Sequence, residues 1–230
     1  MRRNPLAWPN VATVPAMDEQ LTMNRLIHAA VRRDLQRLAT ALRDFRDGDS
    51  ARARDLDRAF VNLRRELTHH HEGEDTHIWP MLEKVGVDRG LLSQMESEHH
   101  AMAEALSETG AAMTALARSG TAAAAQTARA SVLRTQEVVE RHLSHEEAEL
   151  EPQLHPHTQT PEWKAVEKKL SRQPPSVAGP FFAWLTDGMS DEHRAFMRTL
   201  IPGPVVTVLA KLFGRRYTRD IAPIWRGSSV

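Results

Sequence analysis

Six residues of this chain combine side-chain type and spacing in a way that suits metal chemistry: His28, His70, Glu74, His99, His142 and Glu146. His70 with Glu74, and His142 with Glu146, stand four residues apart, so on a helix each pair lies on one face about a turn apart and both members reach one site. Buried without compensation, such groups cost on the order of 1–3 kcal/mol per unsatisfied polar atom and more per charge, which a divalent or trivalent cation offsets. Imidazole suits iron, zinc or copper, while carboxylate oxygens favour a harder ion and can bridge two of them. The chain has no cysteine, which excludes disulfides, iron–sulfur clusters and cysteine nucleophiles and removes the strongest argument for structural zinc. Iron is the leading choice, with manganese or zinc as substitutes.

Those residues need helices to hold them. From Ala16 to Phe45 the apolar positions Leu21, Val31, Leu35, Leu38, Leu42 and Phe45 follow helical steps, and His28 falls on the same stripe. The run Arg46 to Ser50 reads as a turn before a second helix from about Ala51, whose stripe is Phe60, Leu63, Leu67, His70, Glu74, Ile78 and Met81. A third helix, from about Gly90 to Arg118, carries Leu92, Met95, His99, Met102 and Leu106. After the loop Ser119-Gly120-Thr121 an alanine-rich segment leads into Val132, Val139, His142, Glu146 and Leu150. One Tyr, six Phe and no strand-like alternation leave an all-α fold, an antiparallel up-down four-helix bundle. Pro80 and Pro152 are expected to end or kink their helices.

An internal repeat supports this arrangement. His70-x-x-x-Glu74-Asp75 followed by Pro80 aligns with His142-x-x-x-Glu146-Glu147 followed by Pro152, and the His28 to His70 spacing differs from that of His99 to His142 by one residue. A duplication of two helices gives a pseudo-two-fold axis with the His-Glu pairs facing across it. A lone histidine on an apolar stripe is more often a hydrogen-bonded core group than a ligand; the joint pattern points to a metal site. Of the 12 histidines, His69, His71, His77, His100 and His145 lie beside the stripes and His155 and His157 in a proline-containing loop, as solvated or supporting groups. His71, His145 and Glu147 are candidates to support the ligands. Helix rotation would instead bring in His71 with Glu74 or Asp75, or His145 with Glu149, as competing ligand pairs.

These residues resemble the hemerythrin family, specifically the bacterial hemerythrin-like proteins with the HHE cation-binding domain, over roughly Met17 to Leu154 and in the family's order: His28, His70-x-x-x-Glu74 with Asp75 and Trp79-Pro80, Glu98-His99, and His142-x-x-x-Glu146-Glu147 with Pro152. The resemblance implies that His28 and His70 ligate one iron and His99 and His142 the other. Glu74 and Glu146 would bridge them, and an oxo or hydroxo group would complete the pair. Oxygen-carrying members place a further histidine one turn after the third-helix ligand, where this chain has Ala103, so one iron is expected to keep an open or water-filled position. The fourth-helix carboxylate is likewise Glu146 at four residues rather than an Asp at five. Both departures match an actinobacterial variant associated with peroxide decomposition, nitric oxide responses and iron or redox sensing. A ferritin-like di-iron bundle would show Glu-x-x-His pairs, the reverse order of the pairs here.

Lys+Arg and Asp+Glu balance at 30 each in 230 residues, which gives no reason to invoke nucleic acid. Residues 1–16 read as an N-terminal arm, 17–154 as the hemerythrin-like domain and 155–230 as a helical C-terminal extension. Arg2 and Arg3 are not followed by the apolar run of a signal peptide, and no segment reaches roughly 18 uninterrupted apolar residues, so a cytoplasmic location is expected. In the extension, a short helix over Glu162 to Leu170 precedes Pro174-Pro175, then the apolar Phe181, Phe182, Trp184 and Leu185, a helix-like Val205 to Phe213, and Arg215, Arg216, Arg219 and Arg226 with Tyr217 and Trp225. Two readings stand. These helices cap the bundle and bury their aromatics, or they offer a basic, apolar surface to an anionic membrane or a partner protein; a homodimer is also open. For function, peroxide decomposition at an open iron position is the first expectation. A sensor or scavenger of oxygen, nitric oxide or iron redox state is the second, and reversible oxygen binding or storage the third. A purely stabilising metal is the plainest alternative.

Overall fold

The computed structural model describes residues 21–226; the N-terminal arm expected over 1–16 lies outside them. Four long helices form the bundle: α1 (Met23–Arg43), α2 (Ser50–Gly73), α4 (Arg89–Ser119) and α5 (Ala122–His145), with the short α3 (Trp79–Lys84) continuing α2. Each long helix starts where a short polar side chain takes up an otherwise unpaired amide: Thr22 accepts from Arg25 N–H, Asp49 from Arg52, Asp88 from Leu91 and Thr121 from Ala124. At the α4–α5 turn Gly120 adopts φ +63°, and an added Cβ would lie 2.6 Å from Ser50 Oγ, so glycine is required for both conformation and space.

The ring order follows from the short connections. α1 packs on α2 and α5, and α4 packs on α2 and α5, so consecutive helices are neighbours and the topology is up-down-up-down. The apolar stripes become the core, with Val31, Leu35, Leu38, Leu63, Leu67, Met95, Met102 and Val132 all buried. Buried polar groups in the part of the bundle around Thr109 satisfy one another: its Oγ1 lies 2.8 Å from both Ser131 Oγ and Thr135 Oγ1, and Thr135 donates to Ala105 O at 3.1 Å.

Pro80 and Pro152 do not end or sharply break their helices. A five-residue π turn precedes each, Glu74–Ile78 and Glu146–Leu150, and the helix then runs on as α3 or as α6 (Glu151–Leu154). A proline ring collides with the carbonyl four residues back, here Thr76 or Ala148, and a turn one residue wider moves that carbonyl aside.

The C-terminal helices are α7 (Pro161–Ser171), α8 (Pro175–Leu185), α9 (Asp191–Leu200), α10 (Gly203–Phe213), α11 (Arg215–Asp220) and α12 (Ala222–Arg226). Sequence periodicity had no handle on α8, where Pro180 sits inside an almost wholly apolar segment; α9 is amphipathic but only ten residues long, between Ser190 and Pro202. α8 packs on α1, and α12 on α2. Trp184 is fully buried and donates from Nε1 to Asp34 Oδ2 at 2.8 Å, while Asp34 also accepts from Arg33 and Arg37. Phe182 and Trp184 are buried and Phe181 is half-buried, whereas Val205, Val208, Leu212 and Phe213 on α10 remain exposed. Among the described residues no single helix is long and apolar enough to cross a membrane. Trp184→Ala removes a filled volume and a buried hydrogen bond together. It is expected to lower unfolding free energy by about 3–5 kcal/mol, read from the denaturant midpoint; a change below about 0.5 kcal/mol would mean that α8 contributes nothing to the bundle.

Candidate metal centre

α2 lies between α1 and α4, and successive helical residues point about 100° apart, so His70 faces His28 on α1 while His71 faces His99 on α4. α5 also touches both, and it aims His142 at His99 and Glu146 at His28. His28 Nε2 lies 3.3 Å from His70 Nε2 and 3.2 Å from Glu146 Oε2. On the opposite side His99 Nε2 lies 3.2 Å from His142 Nε2 and 3.5 Å from Glu74 Oε2. His70 Nε2 is 3.2 Å from Glu74 Oε1, and His142 Nε2 is 3.9 Å from Glu146 Oε2. All six residues singled out by spacing converge on one buried cluster, with Glu74 and Glu146 between two imidazole pairs.

The outward nitrogens are held by carboxylates. His28 Nδ1 lies 2.7 Å from Glu147 Oε1, His99 Nδ1 2.8 Å from Asp75 Oδ1, and His142 Nδ1 3.0 Å from Glu98 Oε2. Glu147 is fixed in turn by Arg32 at 2.7 Å, and Glu98 by His145 Nδ1 at 2.8 Å. A carboxylate at Nδ1 keeps the ring proton there and leaves a lone pair on Nε2. For His99 and His142 two such lone pairs face each other at 3.2 Å, an arrangement that is repulsive unless a cation or a shared proton sits with them. Two imidazole nitrogens on one ion at about 2.1 Å each, subtending about 100°, are separated by about 3.2 Å. Both oxygens of Glu74 and Oε2 of Glu146 are buried with ring nitrogens near them but no well-aligned hydrogen bond, and Nε2 of His71 is buried without a hydrogen-bond partner among the described residues. The donor set fits metal binding: ring nitrogens and two central carboxylates meet in one buried place.

The electrostatics of the metal-free cluster are strained in the same sense. Burial would lower the His28 pKa, but Glu146 and Glu147 against its ring reverse this and raise it to about 9. His70 is lowered to about 3 by burial and then by the charge on His28. Burial and the negative Glu146 push Glu74 well above the usual carboxylate range. Burial opposes ionisation of Glu147 too, yet hydrogen bonds from His28 and Arg32 bring it down to about 2. The lone cationic imidazole stands in for part of the missing positive charge.

The structure brings together the six residues singled out by spacing and sets two of the supporting candidates, Glu147 and His145, against His28 and Glu98. It did not assign the supporting roles of Asp75 and Glu98, although the repeat carries a signal: Asp75 and Glu147 occupy equivalent positions and hold the equivalent His99 and His28. His71, expected beside the stripe as a supporting group or, on a rotated helix, as a ligand paired with Glu74, lies inside, 7% exposed, with its ring stacked on His99 at a centroid distance of 4.2 Å. Its place follows from a site that spans two faces of α2 rather than one. The pair His145 and Glu149, 3.6 Å apart, lies outside the cluster, as His145 is turned toward Glu98.

Asp75→Ala and Glu147→Ala each free one ring from its carboxylate, and each is expected to weaken metal affinity roughly 10- to 100-fold with helicity unchanged; calorimetric titration with ferrous or cobaltous ion reads this directly. Metal must also displace the proton on His28. Because the folded pKa is raised to about 9, affinity should climb with pH, up to about tenfold per unit for one displaced proton, and level off above about 9. Uptake at pH 7 then releases at least one proton, seen as a heat that changes with buffer ionisation enthalpy, and a buffer-independent heat would contradict the assignment of that charge.

No match was found among curated proteins or among solved structures. The model of the hemerythrin HHE cation-binding domain matches residues 22–154, which span α1 to α6 and every donor described above, and the chain belongs to that family.

Proposed function

We propose that this chain is a non-haem di-iron protein that reacts with a small oxidant, and that its activity is peroxide decomposition. The observation that carries the reading is the sharing of Glu74: oxygens and ring nitrogens of His28, His70, Glu74 and Glu146 come within 4.8 Å of one another, as do those of His71, Glu74, His99 and His142. Two groups of donors with one carboxylate in common suit two ions bridged by that carboxylate. When bound, an iron pair supplies Lewis acidity and two-electron redox chemistry. Converting two molecules of hydrogen peroxide to two of water and one of oxygen is internally balanced, one peroxide being oxidised as the other is reduced, so no further reductant is needed.

The chain's own residues set the conditions. Carboxylates on Nδ1 of His28, His99 and His142 hold the rings turned with Nε2 inward. His28, His99, His142, Glu74 and Glu146 are all buried, and so enclosed a site suits peroxide, oxygen or nitric oxide rather than an organic substrate. Glu147, half-buried beside Arg32, is the nearest described group able to relay protons between His28 and solvent.

Protein produced in iron-supplemented medium is expected to carry two irons per chain. His70→Ala and His142→Ala should each lose at least one and lose the near-ultraviolet absorption of the pair. Iron-loaded protein should evolve oxygen from hydrogen peroxide faster than the same concentration of free iron. Rates equal to free iron, with two irons still bound, would remove the peroxide reading and leave binding or sensing of a small ligand.

A further inference from the structure

The donors divide unevenly. One group has the two imidazoles of His28 and His70, whereas the other has three, those of His71, His99 and His142, and Glu74 belongs to both. The internal repeat explains the difference. His70, His71, Glu74 and Asp75 align with His142, Leu143, Glu146 and Glu147, so the register occupied by His71 on α2 is occupied on α5 by Leu143, which is fully buried. An apolar side chain there gives the His28 and His70 side no third nitrogen.

His71 has the attributes of a ligand rather than a support. It is buried, its Nε2 has no hydrogen-bond partner among the described residues, and its ring stacks on His99 and meets His142 edge-on at 5.4 Å. Supporting groups in this site behave differently: Glu98, Asp75 and Glu147 each hold an outward Nδ1. The third helix of the bundle, α4, offers no competitor, because Ala103, one turn after His99, faces solvent.

We propose that His71 is the third imidazole ligand of one ion of the pair, supplied by the second helix of the bundle in place of a donor on the third. This assignment rests on the two-metal reading above. It makes the two ions inequivalent and leaves the ion held by His28 and His70 as the one with fewer protein donors.

Cobalt(II) alone is the probe, since its paramagnetism shifts the exchangeable ring N–H protons of bound imidazoles in the proton NMR spectrum. The wild-type chain with two cobalt ions is expected to give five such signals, and His71→Ala four. The variant should bind its second ion more than about 100-fold more weakly, beyond the roughly 10- to 100-fold that loss of a supporting group costs, and added imidazole should restore much of that affinity. Four shifted signals in the wild type would overturn the assignment whether or not the variant folds. So would a folded variant that keeps wild-type affinity for both ions. Uptake of fewer than two ions by the wild type, measured in the same titration, would instead overturn the metal pair itself and the assignment with it.

Discussion

The constraint on which this molecule depends is the meeting of unprotonated ring nitrogens in a place that water does not reach. Carboxylates at Nδ1 commit His28, His99 and His142 to one tautomer, and the bundle then presses Nε2 against Nε2 across distances of 3.2 and 3.3 Å. Left alone, that geometry has too many lone pairs and too little positive charge. In the metal-free state part of the deficit is met by a proton on His28 and by suppressed ionisation of Glu74. A cation at each imidazole cluster meets the deficit fully and satisfies the orphaned carboxylate oxygens with it.

The remainder of the fold makes that arrangement affordable. Around Thr109 the polar groups close on one another and the apolar layers fill with leucine, methionine and valine, so the bundle does not rely on the site for its packing. The extension anchors α1 from outside: Asp34 is six residues after His28 on the same helix, and its bond from Trp184, with Arg33 reaching the carbonyls of Trp184 and Leu185, fixes how that helix is rotated. At the other partner helices, the π turns at Glu74 and Glu146 occur where the ligand carboxylates leave the regular helix. Proline two residues after each turn makes the wide turn the less strained choice, and the same local irregularity is present in both halves of the duplication.

Much of this was legible in the residues. Stripes at helical spacing gave the four bundle helices to within a residue or two at most described ends, and the two H-x-x-x-E copies located the donors because coordination demands side chains on one face. What escaped had a physical cause in each case. π turns leave no periodic trace over five residues, and proline alone reads as a stop. α8 is apolar on every side, so it has no stripe to find. The place of His71 beside His70, rather than instead of it, escaped because a stripe argument gives a helix one inward face; in a ring of four, a helix at a shared site looks toward two neighbours, and consecutive residues serve both.

That last point bears on how a duplicated scaffold acquires direction. Two copies of one helical pair, related by a pseudo-two-fold axis, would by themselves give two equal metal positions, with Glu147 on His28 mirrored by Asp75 on His99. A small ligand arriving at such a centre would have no preferred end. The single change from an imidazole at His71 to an isobutyl group at Leu143 breaks the equivalence at the level of the donors, without disturbing the carboxylates that orient them. One side is then crowded by nitrogen and the other bordered by hydrocarbon. A scaffold of this kind can change the side on which a ligand binds by altering one residue per repeat, because the orientation of the remaining donors is held by separate groups.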